Sequence, residues 1–236
     1  MEKGPRIMNN PFLFFIPIII IVIGLIILGH YMAARRRKEL ELWARSKGLS
    51  FSSDKDHYMD QRFPNFNLLH QGSGRYAYNI IQGEYSGYPL LAFDYHYETH
   101  STNSKGNSQT HHHYFSAVIL EAPYFLKSLF IRAEGFFDKV TEFFGYDDID
   151  FESAEFSRKF FVKADDRRWA YDVIHTRTME FLLDSPRFTI QLDGSHMFAS
   201  RSATFKITDF QDAIGVLKGI LDRLPDYLVK QLKGES

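Results

Sequence analysis

The chain of 236 residues carries 28 Lys and Arg against 29 Asp and Glu, a formal net charge of −1, which excludes the overall basic field of a nucleic-acid binder. Cysteine is absent, which excludes disulfides, thiolate catalysis and cysteine metal sites. The 23 Phe and 13 Tyr point to a packed, β-rich core, since aromatic side chains favour strands.

After a short tail at 1–10, residues 11–34 read PFLFFIPIIIIVIGLIILGHYMAA without a charge. About 20 apolar residues cross a bilayer as a helix, so this run is long enough for a transmembrane span. A cleaved signal peptide has an apolar stretch of roughly 7–15 residues and a basic start. Here the stretch is longer, and the stronger basic cluster, Arg35, Arg36, Arg37 and Lys38, comes after it. Lys3 and Arg6 precede the span, whereas those four residues, Arg45 and Lys47 follow it. Basic flanks stay cytoplasmic. The tail is therefore expected outside and the C-terminal bulk in the cytoplasm.

The basic stretch, 35–49, reads as a helix continuing out of the membrane. Leu40 and Trp43 fall on one side of it, and Gly48 is a C-terminal stop. Arg35, Arg36, Arg37 and Lys38 would meet anionic headgroups at roughly 1 kcal/mol each. Trp43 would lie at headgroup level. A solvated spacer helix carrying a topology signal accounts for the same residues.

Residues 50–236 are expected to form one soluble α+β domain, with the acidic stretch YDDIDFES offering a boundary between lobes 50–145 and 146–236. Asp54 to Arg62 suggests a short helix ended by Pro64. Strands follow: RYAYNIIQGEY, a tight turn at Ser86-Gly87, then YPLLAFDYHYETH. In the second, Leu91, Phe93, Tyr95 and Tyr97 share one face, and Asp94, His96, Glu98 and His100 the other. The polar loop STNSKGNSQT leads into HHHYFSAVILEA, a further strand SLFIRAE and a short helix over Phe136–Phe144.

In the second half, SRKFFVKA reads as a strand. Asp165 or Asp166 caps a helical region that Thr176 divides by capping its second part. RFTIQLD is a strand, and Asp193-Gly194 signals a hairpin returning into SHMFASR. A last helix begins near Asp209 with Phe210, Ile214, Leu217, Leu221 and Leu224 at spacings of four and three. The stripe is too short for a confident coiled-coil seam, so docking onto the sheet is expected. Pro225 starts a final helical piece through Leu232. Strands followed by helices, without βαβ alternation, give a mainly antiparallel sheet with a C-terminal helix packed on it. A pleckstrin-homology-like barrel is one form such a pattern takes.

No motif assigns an activity. GxxxxGK[ST], GxSxG and HExxH are absent, and Gly72-Ser73-Gly74 precedes a strand instead of joining strand to helix. Gly24 and Gly29 are too far apart for a GxxxG pair. In the acidic stretch, counting from Asp148, Ser153 falls at the EF-hand glycine position and Lys159 at its glutamate position, so that pattern fails. No catalytic residue or cofactor is expected. No metal site is expected either, because His96 and His100 stand roughly 13 Å apart along a strand. His96, His111 and His113 are the candidates if the hairpin brings imidazoles together.

The segment DIDFESAEFSRKFFVKADDRRWAYDVIHTRTMEFLLD, together with RFPNFNLL, FDYHY and the basic stretch, resembles an uncharacterised bacterial family of single-pass membrane proteins carrying a domain of unknown function. The likeness is most specific at Phe151, Glu152, Ser153, Phe156, Phe160, Val162, Asp165, Tyr171, Met179 and Leu182. It implies architecture and no catalytic residues. The reading that results is a membrane-anchored, non-catalytic binding or scaffold domain whose partners are the lipid bilayer and another protein. A membrane-surface hydrolase or metal-binding protein is the first alternative, and an anionic-lipid headgroup binder the second.

Overall fold

The computed structural model describes residues 15–103, 106–133 and 149–234. The tail 1–10, the first residues of the apolar run, the helix expected over Phe136–Phe144 and the start of the acidic stretch lie outside these.

One helix, α1 (Ile16–Ser46), has two environments. From Phe15 to Met32 its large apolar side chains are all exposed, and it is the one helix among the described residues long and apolar enough to cross a membrane. This is compatible with a single-pass anchor. Beyond it, on the same unbroken helix, Leu40, Trp43 and Ala44 are buried in the domain core. Trp43 stacks on Phe210 at 5.8 Å. Its apolar ring is thus satisfied by core packing and not by the headgroup layer expected for it. The helix ends in a Schellman motif: Gly48, at φ 71°, donates to Arg45 O, and Leu49 N donates to Ala44 O.

Among the described residues, six strands form an antiparallel sheet. β1 (Ser50–Ser52) pairs with β2 (Ser73–Tyr85), β2 with β3 (Tyr88–Thr102), and β3 with the 26-residue β4 (Ser108–Ala133). β5 (Phe160–Ala164) pairs with the far half of β4 on the β3 side, and β6 (Thr189–Arg201) lines its other side. No ladder among the described residues joins β1 to β6, so the sheet stays open and the pleckstrin-homology-like barrel does not form. The Ser86-Gly87 turn has both central residues at positive φ, as a two-residue type I′ hairpin needs.

Two expectations for β4 and β6 change. HHHYFSAVILEA and SLFIRAE are one strand, carried past Pro123 by irregularities between Glu121 and Leu129. Asp193-Gly194 makes no hairpin. Both halves of β6 take β4 as partner, and Gly194 uses φ 60° to absorb the bulge facing Glu121–Leu126.

Short helices precede and follow these strands. α2 (Met59–Arg62) and a 3-10 turn (Asn67–His70) cover one sheet face, where Met59, Phe66 and Leu69 meet Phe93, Tyr95 and Phe198. SRKFFVKA splits into α3 (Ala154–Lys159), capped by Ser153, and β5. Asp166 caps α4 (Arg167–Val173) by accepting from Arg168 N and Trp169 N. α5 (Thr176–Asp184) does begin at Thr176, but its cap position is His175, whose Nε2 bonds Arg223 O at 2.7 Å. The last two helices, α6 (Ile207–Leu221) and α7 (Asp226–Leu232), follow.

α6 packs on the second sheet face beside α1, with Phe210, Ile214, Leu217, Leu221 and Leu224 all buried. The domain is thus α+β, and its C-terminal helix docks as the stripe requires. Leu49 lies against Gly83, whose strand partner is Leu90, while Arg36 reaches Asp94. β3 therefore runs antiparallel to α1. Replacing Leu217 with Ala should cost roughly 2–5 kcal/mol, read as a shift in the chemical unfolding midpoint. Lys218→Ala, on the partly exposed side, should leave that midpoint within about 0.5 kcal/mol.

Candidate functional site

Two polar constellations lie on one face of β3. The first joins α1 to the sheet. Asp94 is fully buried and accepts a two-pronged contact from Arg36: Nη2 to Oδ1 at 2.7 Å and Nε to Oδ2 at 2.9 Å. Asn79 Nδ2 donates to Oδ2 at 2.8 Å, and Ser116 Oγ donates to Oδ1. Asn79 sits in a β2 bulge at φ 51°, which turns its side chain toward the carboxylate. Arg36 also donates from Nη1 to Phe205 O, and Phe205 N donates to Ser116 Oγ, both at 2.8 Å. The loop before α6 is thereby tied to the same centre. Burial, then the Asp94 charge, pushes the neighbouring Tyr78 phenol above its ordinary pKa.

The second constellation is His96, Glu98 and His112. Strand alternation puts His96 and Glu98 on one face, and the register pairs Glu98 with His112. His96 Nε2 lies 3.1 Å from His112 Nδ1, which lies 3.4 Å from Glu98 Oε1. One ligand atom from each of the three falls within 4.8 Å of the others. His96 is buried between Tyr76, at 4.6 Å, and Tyr114, at 4.9 Å. Its Nδ1 meets Gly74 O at 3.1 Å. A carbonyl only accepts, so Nδ1 carries the proton and Nε2 presents a lone pair toward His112.

The other histidines are elsewhere. His111 and His113 point to the opposite face, bonded to Ser101 and Thr99, and His113 stacks on Tyr97 at 4.6 Å. His100 bonds Thr110 and Ser73. Of the three sequence candidates only His96 belongs to the cluster. His112, which completes it, was not among them because its partner depends on a register that alternation alone leaves open.

Two further recesses lie on the surface of the described residues. A groove of about 520 Å³ opens on the α2 face, with Phe63, Pro89, Leu91 and Ile119 in its lining and Arg62, Glu121 and His196 among its polar groups. A recess of about 330 Å³ lies beside the first turns after the span, lined by Arg36, Glu39, Leu40, Lys206, Ile207 and Thr208. Arg35, Arg37 and Lys38 are exposed on the same helix.

No family model matches the chain, and no curated protein does. Among solved structures, the crystal structure of the mycobacterial trehalose monomycolate transport factor A, TtfA, is similar, with a TM-score of 0.53 and 13% identity over 80% of this chain and 96% of that one. At that identity the likeness is one of fold.

Arg36→Met would strand the Asp94 carboxylate with only Asn79 and Ser116. A cost of roughly 3 kcal/mol is expected, the low end for a broken buried pair. Combining it with Asp94→Leu should recover most of that loss. A double-mutant cycle on unfolding free energies reads both.

Proposed function

We propose that this protein is a membrane-anchored, non-catalytic scaffold that holds a binding surface at a fixed attitude to the inner membrane, on the cytoplasmic side. The observation that carries this reading is the unbroken α1. Its exposed apolar half is followed, with no linker, by a half whose Leu40, Trp43 and Ala44 belong to the core and whose Arg36 is locked to Asp94. An anchor that only raises local concentration needs no such continuity. The shallow groove beside Phe63 and Leu91, with apolar and polar groups mixed in its lining, supports a protein partner, because binding surfaces are shallow where catalytic sites converge titratable groups in depth. The fold shared with a protein described as a transport factor supports an accessory role over a chemical one.

Two measurements test this. A reporter active only outside the cytoplasm, fused after Ser236, should be silent; activity would reverse the topology. A flexible Gly/Ser insert between Ala34 and Arg35 leaves every domain contact intact but frees the domain to swing. It should abolish complementation of a strain lacking the gene while the protein accumulates normally in membranes. Full complementation would show that attitude does not matter and would favour a membrane-surface enzyme.

A second reading, contact with anionic lipid headgroups, is favoured by the recess between α1 and Lys206 with Arg35, Arg37 and Lys38 exposed beside it. Each cation contributes about 1 kcal/mol near an anionic surface. Arg37→Glu with Lys206→Glu should lower the anionic lipid that copurifies with the protein from membranes.

A further inference from the structure

We propose that His96, Glu98 and His112 form a binding site for one divalent transition-metal ion, zinc foremost, with a solvent molecule at the fourth position. The proposal stands independently of the scaffold reading. Zinc bonds imidazole nitrogen at about 2.0–2.1 Å and carboxylate oxygen at about 2.0–2.2 Å, so neighbouring ligand atoms around a tetrahedral ion stand roughly 3.3–3.5 Å apart. The 3.1 Å between His96 Nε2 and His112 Nδ1 and the 3.4 Å between His112 Nδ1 and Glu98 Oε1 are close to two edges of that figure. The remaining edge closes by rotation of the Glu98 side chain, which is partly exposed.

Three further features belong to a ligand site more than to a wet strand end. His96 is held by the stacked Tyr76 ring and by its Nδ1–H bond to Gly74 O, the outer-shell arrangement that fixes a ligating tautomer. Gly74, at φ 58°, also leaves the space the carboxylate uses: a Cβ there would stand 2.9–3.2 Å from the Glu98 carboxyl atoms. His112, with its side chain 52% exposed, opens the site to solvent and to entry of an ion. Two imidazoles and one carboxylate suit zinc, copper or nickel, and disfavour magnesium or calcium, which take oxygen donors. Because His96 and Glu98 lie on β3 and His112 on β4, the ion would bridge the two strands.

The test uses the full-length chain in detergent, purified through a tag without histidine and titrated with Co²⁺ alone, then with Zn²⁺ as competitor. The expected result is one Co²⁺ per chain with the visible absorption of a four-coordinate site, bleached by one equivalent of Zn²⁺. His112→Ala and Glu98→Gln should each weaken binding about tenfold or more. Both side chains are partly exposed, so these variants keep the fold, which circular dichroism checks. His111→Ala and His113→Ala, on the opposite face, should bind as the parent does. Absence of saturable binding, unchanged affinity in His112→Ala, or equal losses in His111→Ala and His113→Ala would each overturn the assignment.

Discussion

A buried carboxylate organises this molecule. Asp94 has no access to water, and an ion removed from water costs several kcal/mol unless its lone pairs are met. Both oxygens are met twice: Oδ1 by Arg36 and Ser116, Oδ2 by Arg36 and Asn79. Those donors come from α1, from a bulge in β2 and from β4. Through Ser116 and Phe205 the same centre reaches the loop that starts α6. The rotation of α1 about its axis, the position of the β2 bulge and the entry of the last long helix all answer to one charge.

The local elements were legible where a single residue type carries the conformation. Gly48 ends α1, Ser86-Gly87 turns the β2–β3 hairpin, Asp166 caps α4, and the Phe210-to-Leu224 stripe docks α6. Legibility failed where a second partner overrode the local signal. Asp193-Gly194 has the composition of a hairpin turn, but β4 is long enough to pair with both flanks. Trp43 carries the composition of an interfacial anchor, yet Phe210, far away in sequence, supplies its contact.

The polar constellations were half legible for the same reason. Alternation along YPLLAFDYHYETH correctly placed Asp94, His96 and Glu98 on one face. It could not say that Arg36 closes over the first or that His112 meets the other two. A lone aspartate amid apolar strand neighbours, in a chain with arginines just outside a span, is the signal that could have suggested the ion pair. Among three consecutive histidines only the register decides which one faces inward to His96.

The continuity of α1 would also couple the domain to a bilayer as a lever does. A span longer than the local hydrocarbon layer can adjust by tilting, with an average tilt near 20°. In a protein with a flexible stalk that rotation is absorbed before it reaches the soluble part. Here α1 extends about 18 Å beyond Ala34 at 1.5 Å per residue before Gly48 turns the chain, and the core is built on that extension. In a bilayer, a tilt of the apolar half of α1 would therefore be carried into the sheet, because no linker separates that half from the part buried in the core.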